Sequence, residues 1–202
     1  MKNNREEKRA DLRNRLIAAA ERQIAEKGLA GLKARDITAE AGCALGALYN
    51  AVEDLDMLVL HVNSRTLTRL GKTLLSAAEP ADTADDTMQA LAAAYVGFAC
   101  ENRRLWIALF EHRLPEGREI PDWHKRDHAV LIEVIIPPLR QLRPDLDKTA
   151  LTLRARTTFA AVHGVVQLAL QGKFVGVPLD HLRDEVAALV LSMTRGAQVA
   201  RT

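Results

Sequence analysis

"AGCALGALYN", residues 41–50, holds two glycines, one tyrosine and one asparagine, and no charge, in a chain that is 27% charged. Gly42 can take a positive φ at a tight turn. Cys43, Leu48 and Val52 fall close to one helical face, so they can pack on Ile37 and on the helix before it. Ala44, Leu45, Gly46, Ala47, Tyr49, Asn50 and Ala51 are then left pointing outward. A face this small and bare lets a helix approach another surface closely.

The neighbouring residues give this stretch its context. Leu12, Leu16, Ala20 and Ile24 recur every four residues and Gly28 follows, which predicts an amphipathic helix stopped by a C-terminal glycine. Short helices fit Ala34 to Ala41 and Leu45 to Ala51, with Gly42 between them. Three helices with a glycine turn between the last two form a helix-turn-helix unit. A DNA major groove accepts such a helix and is read by its first residues. Of the outward residues only Asn50 can bond bidentately to a base, while the Tyr49 hydroxyl can reach a phosphate. Lys33 and Arg35 can add phosphate contacts.

Downstream, Asp54 can cap a long helix through about Ser76. "EPADTADD" (79–86) is a polar break in which Thr83 and Asp86 have capping-box spacing. Further helices are predicted near 84–101, 103–113, 122–136, 147–171 and 179–195. "LPEGREIP" (114–121) reads as a loop. Pro137–Pro138 should end or kink the helix before them, and Pro178 suits the first turn of the last helix. No strand pattern competes, so the fold class is all-α.

The composition excludes several classes. The chain has 202 residues, 48% of them hydrophobic and 4% aromatic, with a formal net charge of +2. Cys43 and Cys100, the only cysteines, make neither a disulfide framework nor a metal cluster. There is no signal-peptide core and no apolar run long enough for a membrane span, so a cytoplasmic protein without a membrane role is expected. Lys2, Arg5, Lys8, Arg9, Arg13 and Arg15 make a mildly basic N-terminal arm that can approach a phosphate backbone.

The stretch "LIAAAERQIAEKGLAGLKARDITAEAGCALGALYN" (16–50) resembles the DNA-binding domain of TetR-family transcriptional regulators. Ile17-Ala18-Ala19-Ala20, Gly28, Ile37-x-x-x-Ala41-Gly42 and Gly46-Ala47-Leu48-Tyr49 carry the resemblance together. It implies a DNA-binding domain over 10–56 and a helical ligand-binding and dimerisation domain over 57–202. It also implies a homodimer that binds a palindromic double-stranded operator and a repressor released by a small molecule. The family usually has Ser or Thr where Ala44 stands, often an aromatic where Val52 stands, and a phosphate-contacting Lys where Leu55 stands. Here Glu53, Asp54 and Asp56 crowd that spot and should repel phosphate.

Tyr95, Phe98, Trp106, Phe110, Trp123 and Phe159, with His128 and His163, are the candidate ligand-binding residues, set against an ordinary-core reading of the aromatics. His163-Gly164 lies mid-helix in a nearly uncharged segment. The buried imidazole needs a partner, and the glycine costs about 1 kcal/mol against alanine. This segment resembles the His-Gly part of a C-terminal domain in one branch of the family, without the tryptophan often found nearby. Leu182, Val186, Leu189, Val190 and Met193 form a stripe, and Ala161, Gly164 and Leu168 can face it in a dimer interface. His124 and His128 have a metal-compatible i, i+4 spacing, but with Lys125 and Arg126 beside them they read as a solvated face. No metal and no cofactor is expected. A sensor or interaction protein with a weakened DNA-binding head is the alternative function. A helical enzyme would need a nucleophile–base pair or a complete metal set, and no such motif is present.

Overall fold

The computed structural model describes residues 2–79 and 81–195, with side chains from residue 6 to residue 194. Those residues are helical and contain no strand. They form two compact units. The first holds the residues up to Thr68 together with Asn102–Asp127, and the second holds Arg69–Glu101 together with those from His128 onward. These units interleave along the chain, whereas the division at 56/57 is contiguous.

In the first unit, α1 (Lys2–Lys27) ends at Gly28, whose φ is 74°. A single 3-10 turn (Leu29–Gly31) leads into α2 (Ala34–Glu40), and Gly42 at φ 66° turns the chain into α3 (Leu45–Val52). Left-handed backbone at both points explains the glycines. The four-residue spacing on α1 places Leu16, Ala20 and Ile24 at 0% exposure, in one core with Ile37, Leu48 and Val52. α4 (Leu55–Ala78) adds Leu58, Val59 and Val62, and α6 (Arg103–Glu111) adds Leu105 and Ala108. Each fully buried leucine or isoleucine contributes roughly 1.5–3 kcal/mol. Asp54 accepts from the Met57 N–H at 2.8 Å and so caps α4 as its position implies.

Several expectations need correcting. Ala51 is 5% exposed. It follows Leu48 by three residues and therefore shares its buried face. The basic N-terminal arm is part of α1, which is helical from Lys2. The side chains of Lys2 and Arg5 lie outside the described residues. Arg15 donates to the Ala41 carbonyl at 2.5 Å, which covers the C-terminal end of α2.

In the second unit, α5 (Ala84–Glu101) starts at the expected cap: the Asp86 N–H donates to the Thr83 hydroxyl at 3.1 Å. α7 (Asp122–Glu133) begins in the first unit and stops before the prolines. Pro137 and Pro138 then open a further helix, α8 (Ile136–Leu142), instead of only ending one. First-turn positions need no intrahelical N–H, so two prolines fit there. α9 (Lys148–Leu170) is capped by Asp147, which accepts from the Ala150 N–H at 2.8 Å. α10 (Leu182–Arg195) starts later than expected, so Pro178 lies in the turn before it. α10 packs on α5 and α9.

Candidate functional site

The exposed face of α3 is built on its buried one. Leu48, at 0% exposure, pins the helix. Ala44, Leu45, Gly46, Tyr49 and Asn50 are exposed, and Ala47 is half-buried. Tyr49 retains 49% of its surface. Ala44 is the N-cap residue of α3 and, as an alanine, makes no side-chain cap bond. Lys33 precedes α2 as its N-cap, and Arg35 lies in that helix's first turn; both are exposed. Between α1 and α2, Arg22 donates to Glu40 at 2.5 Å and Gln23 donates to the same carboxylate at 3.2 Å. The Arg22 hydrogen bond chiefly holds the Glu40 carboxyl below its ordinary value.

The acidic cluster after α3 does not stand free. Arg118, in the loop between α6 and α7, donates to Asp54 and, at 3.1 Å, to Glu53. Burial pushes the Asp54 carboxyl up, but the Met57 N–H and Arg118 outweigh it, and the net shift is downward. Glu53 is the one non-glycine with positive φ among the described residues, at 72°. His112 sits 3.5 Å from Asp56. The expected phosphate repulsion is therefore reduced in part, because one guanidinium is shared by two of the three carboxylates. The sequence could not show this, because 64 residues separate Arg118 from Asp54. Arg118→Ala is expected to weaken binding to a DNA target severalfold, with partial recovery on adding Glu53→Gln. Fluorescence anisotropy at two salt concentrations checks this, and an unchanged affinity contradicts it.

The aromatics expected to bind ligand divide between the units. Trp106 is 1% exposed and packs on Phe110 with ring centroids 5.0 Å apart. Trp123 stacks on His61 at 4.8 Å and 7°. These three belong to the first unit and line no cavity in the second. α6 packs on α1, and the start of α7 meets His61 and Ser64 of α4, a partition that aromatic content alone cannot reveal. His124 is 5% exposed, in edge contact with Trp123 and 3.4 Å from the Ser64 hydroxyl, so it is not part of a solvated face. Among the described residues no cluster of His, Cys, Asp or Glu suits a metal ion.

The second unit holds a cavity of about 40 Å³. Met88, Leu91, Ala92 and Tyr95 of α5 form one wall, and Thr158, Phe159 and Val162 of α9 form another. Leu74, Leu131, Val134, Ile135 and Val190 complete it. The Tyr95 hydroxyl lies 2.8 Å from His163 Nδ1, which supplies the imidazole with the partner it needed. Phe159 stacks on His163 at 5.5 Å and meets Tyr95 edge-on at 5.7 Å. Phe98 is buried on the same helix as Tyr95 without lining the cavity, and His128 is half-buried and also off the lining.

The dimer-face residues also divide. Leu182, Val186 and Val190 are at most 1% exposed. They pack inside their own unit, because α10 turns its apolar stripe toward α5 and α9, and so leave the candidate interface. Leu168 is 40% exposed, while Ala161, Gly164, Leu189 and Met193 are half-buried. Among the described residues, a Cβ on Gly164 would meet nothing within 4 Å, so none of them requires this glycine.

Burial lowers the pKa of three histidines. Arg13 and Arg65 add to the effect at His61, Asp56 opposes it at His112, and Gln167 opposes it at His163. The unfolded chain therefore takes up protons first as pH falls below about 6.5. The stability present above that pH is lost as pH drops toward the folded values. Tm is expected to fall by a few degrees between about pH 7.5 and 5.5, as calorimetry would detect; an equal or higher Tm at the lower pH contradicts it.

Comparison with known proteins agrees with this architecture. Residues 16–51 match bacterial regulatory proteins of the tetR family, and residues 88–193 match the tetracyclin repressor-like C-terminal domain. A search of curated proteins gave no match. The fold is similar to that of a protein with unknown function from Rhodococcus sp. RHA1, 25% identical, covering 89% of this chain and 93% of that one at a TM-score of 0.71. RolR, solved with its ligand resorcinol, is 24% identical, covering 94% and 90% at 0.66. PfmR, a TetR family regulator from Thermus thermophilus, is 16% identical, covering 93% and 100% at 0.61. With its helix-turn-helix head and its helical second unit each matched, the chain belongs to the TetR family of transcriptional regulators.

Proposed function

We propose that this regulator is a homodimeric repressor of a palindromic operator, released when a small molecule occupies the cavity of its second unit. The exposed face of a firmly buried α3 carries the DNA-reading part of this proposal. Tyr49, Lys33 and Arg35 hold phosphates, Asn50 reads a base edge, and Leu45 and Ala47 contact thymine methyls. Apolar contacts and DNA shape supply the remaining discrimination. The two heads must stand roughly 34–36 Å apart, or a multiple of it, to enter successive major grooves. Ala161, Gly164, Leu168, Leu189 and Met193 are the remaining candidates for the dimer face.

Of the ligand-binding candidates, Tyr95 and Phe159 line the cavity, and His163 stands behind Tyr95, 2.8 Å from its hydroxyl. α4 contributes Leu74 to that cavity and Leu58, Val59 and Val62 to the core of the head, so one helix belongs to both units. A coupling of about 1–3 kcal/mol is enough to change operator occupancy. The weakened-head alternative rests on the acidic cluster and on Leu55 in place of a lysine; Arg118, paired with Asp54 and Glu53, weakens the first of these grounds. Selection of genomic fragments by the purified protein at two salt concentrations tests the reading. A discrete palindrome, lost with Tyr49→Ala, supports it, and enrichment of random DNA alone refutes it.

A further inference from the structure

We propose that the effector is an uncharged, chiefly hydrocarbon molecule that offers one hydrogen-bonding group to the Tyr95–His163 pair. This rests on the effector-cavity reading above. Among the described residues, no Asp, Glu, Lys or Arg lines the cavity. Its polar side chains are Tyr95 and Thr158, and the Thr158 hydroxyl donates to the Arg154 carbonyl at 3.0 Å within its own helix. His163, behind Tyr95, is held uncharged at neutral pH by burial. A carboxylate or ammonium entering here would shed its hydration and meet no opposite charge. An alkyl or aromatic body loses nothing of that kind and gains contact with aliphatic walls.

The size of the cavity is consistent with this class. A space of about 40 Å³ holds a few waters, and a hydrocarbon of six or more carbons needs the walls to yield. Met88 can do this, since an unbranched thioether changes shape at little cost. One hydroxyl on the ligand is enough for orientation, because a tyrosine oxygen both donates and accepts.

Calorimetric titration of the full-length protein with n-hexanol, hexanoate and hexylammonium at neutral pH tests the proposal, since the three share a chain and differ in charge. Hexanol should bind at least about tenfold more tightly than either ion. Its affinity should fall severalfold in Tyr95→Phe, and it should fall also in Ala92→Leu, which fills the cavity; Val162→Ile replaces the latter if its melting curve shows misfolding. If an ion binds as tightly as hexanol and Ala92→Leu weakens it, the cavity reading stands and the ligand class is overturned. Binding indifferent to both filling variants overturns the cavity reading itself. So does the failure of all three probes to bind, and the ligand class falls with it.

Discussion

Leu48→Ala is expected to destabilise the protein by about 2–5 kcal/mol and to abolish specific DNA binding. Leu48 has no exposed surface, and α3 packs against both α1 and α2. The substitution removes apolar atoms from a core shared with Ile24, Ile37 and Val62 and leaves a cavity that these helices cannot fully close. The loss is a large share of the roughly 5–15 kcal/mol typical of a whole domain. It falls on the helix whose opposite face is the proposed DNA contact. Urea denaturation followed by circular dichroism checks the stability, and anisotropy with the selected operator checks the binding. A stability change under about 1 kcal/mol would mean that Leu48 does not anchor α3.

Tyr49→Ala, one residue later, is expected to do the reverse: binding falls about ten- to a hundredfold per head while stability stays within about 0.5 kcal/mol. Tyr49 is 49% exposed and contributes little to the core. A hydrogen bond to a charged phosphate contributes roughly 1.5–3 kcal/mol, which sets the size of the loss. Tyr49→Phe separates the hydroxyl from the ring: if the phosphate bond dominates, Phe behaves like Ala, and if the ring dominates, Phe behaves like the parent. Full operator affinity in Tyr49→Ala would remove Tyr49 from the interface. The two substitutions divide adjacent positions of one helix into support and contact.

That division was mostly legible from local pattern. The four-residue spacing on α1, the glycines at 28 and 42 and the Thr83–Asp86 cap lie within a few residues of what they control, so the sequence by itself determined the all-α class, the helix-turn-helix and most helix limits. Ala51 was also within reach, since its spacing from Leu48 places both on one face. The second helix start at Pro137–Pro138 was ambiguous, because a proline pair closes one helix and opens the next with equal ease. Only the tertiary structure brought Arg118 to Asp54 and Tyr95 to His163, across 64 and 68 residues. It alone assigned Trp106, Phe110 and Trp123 to the first unit and turned Leu182, Val186 and Val190 inward. Helical periodicity states which face of a helix is apolar. Which other helix, or which second copy, covers that face depends on how the chain folds back over long separations, and no local spacing encodes it.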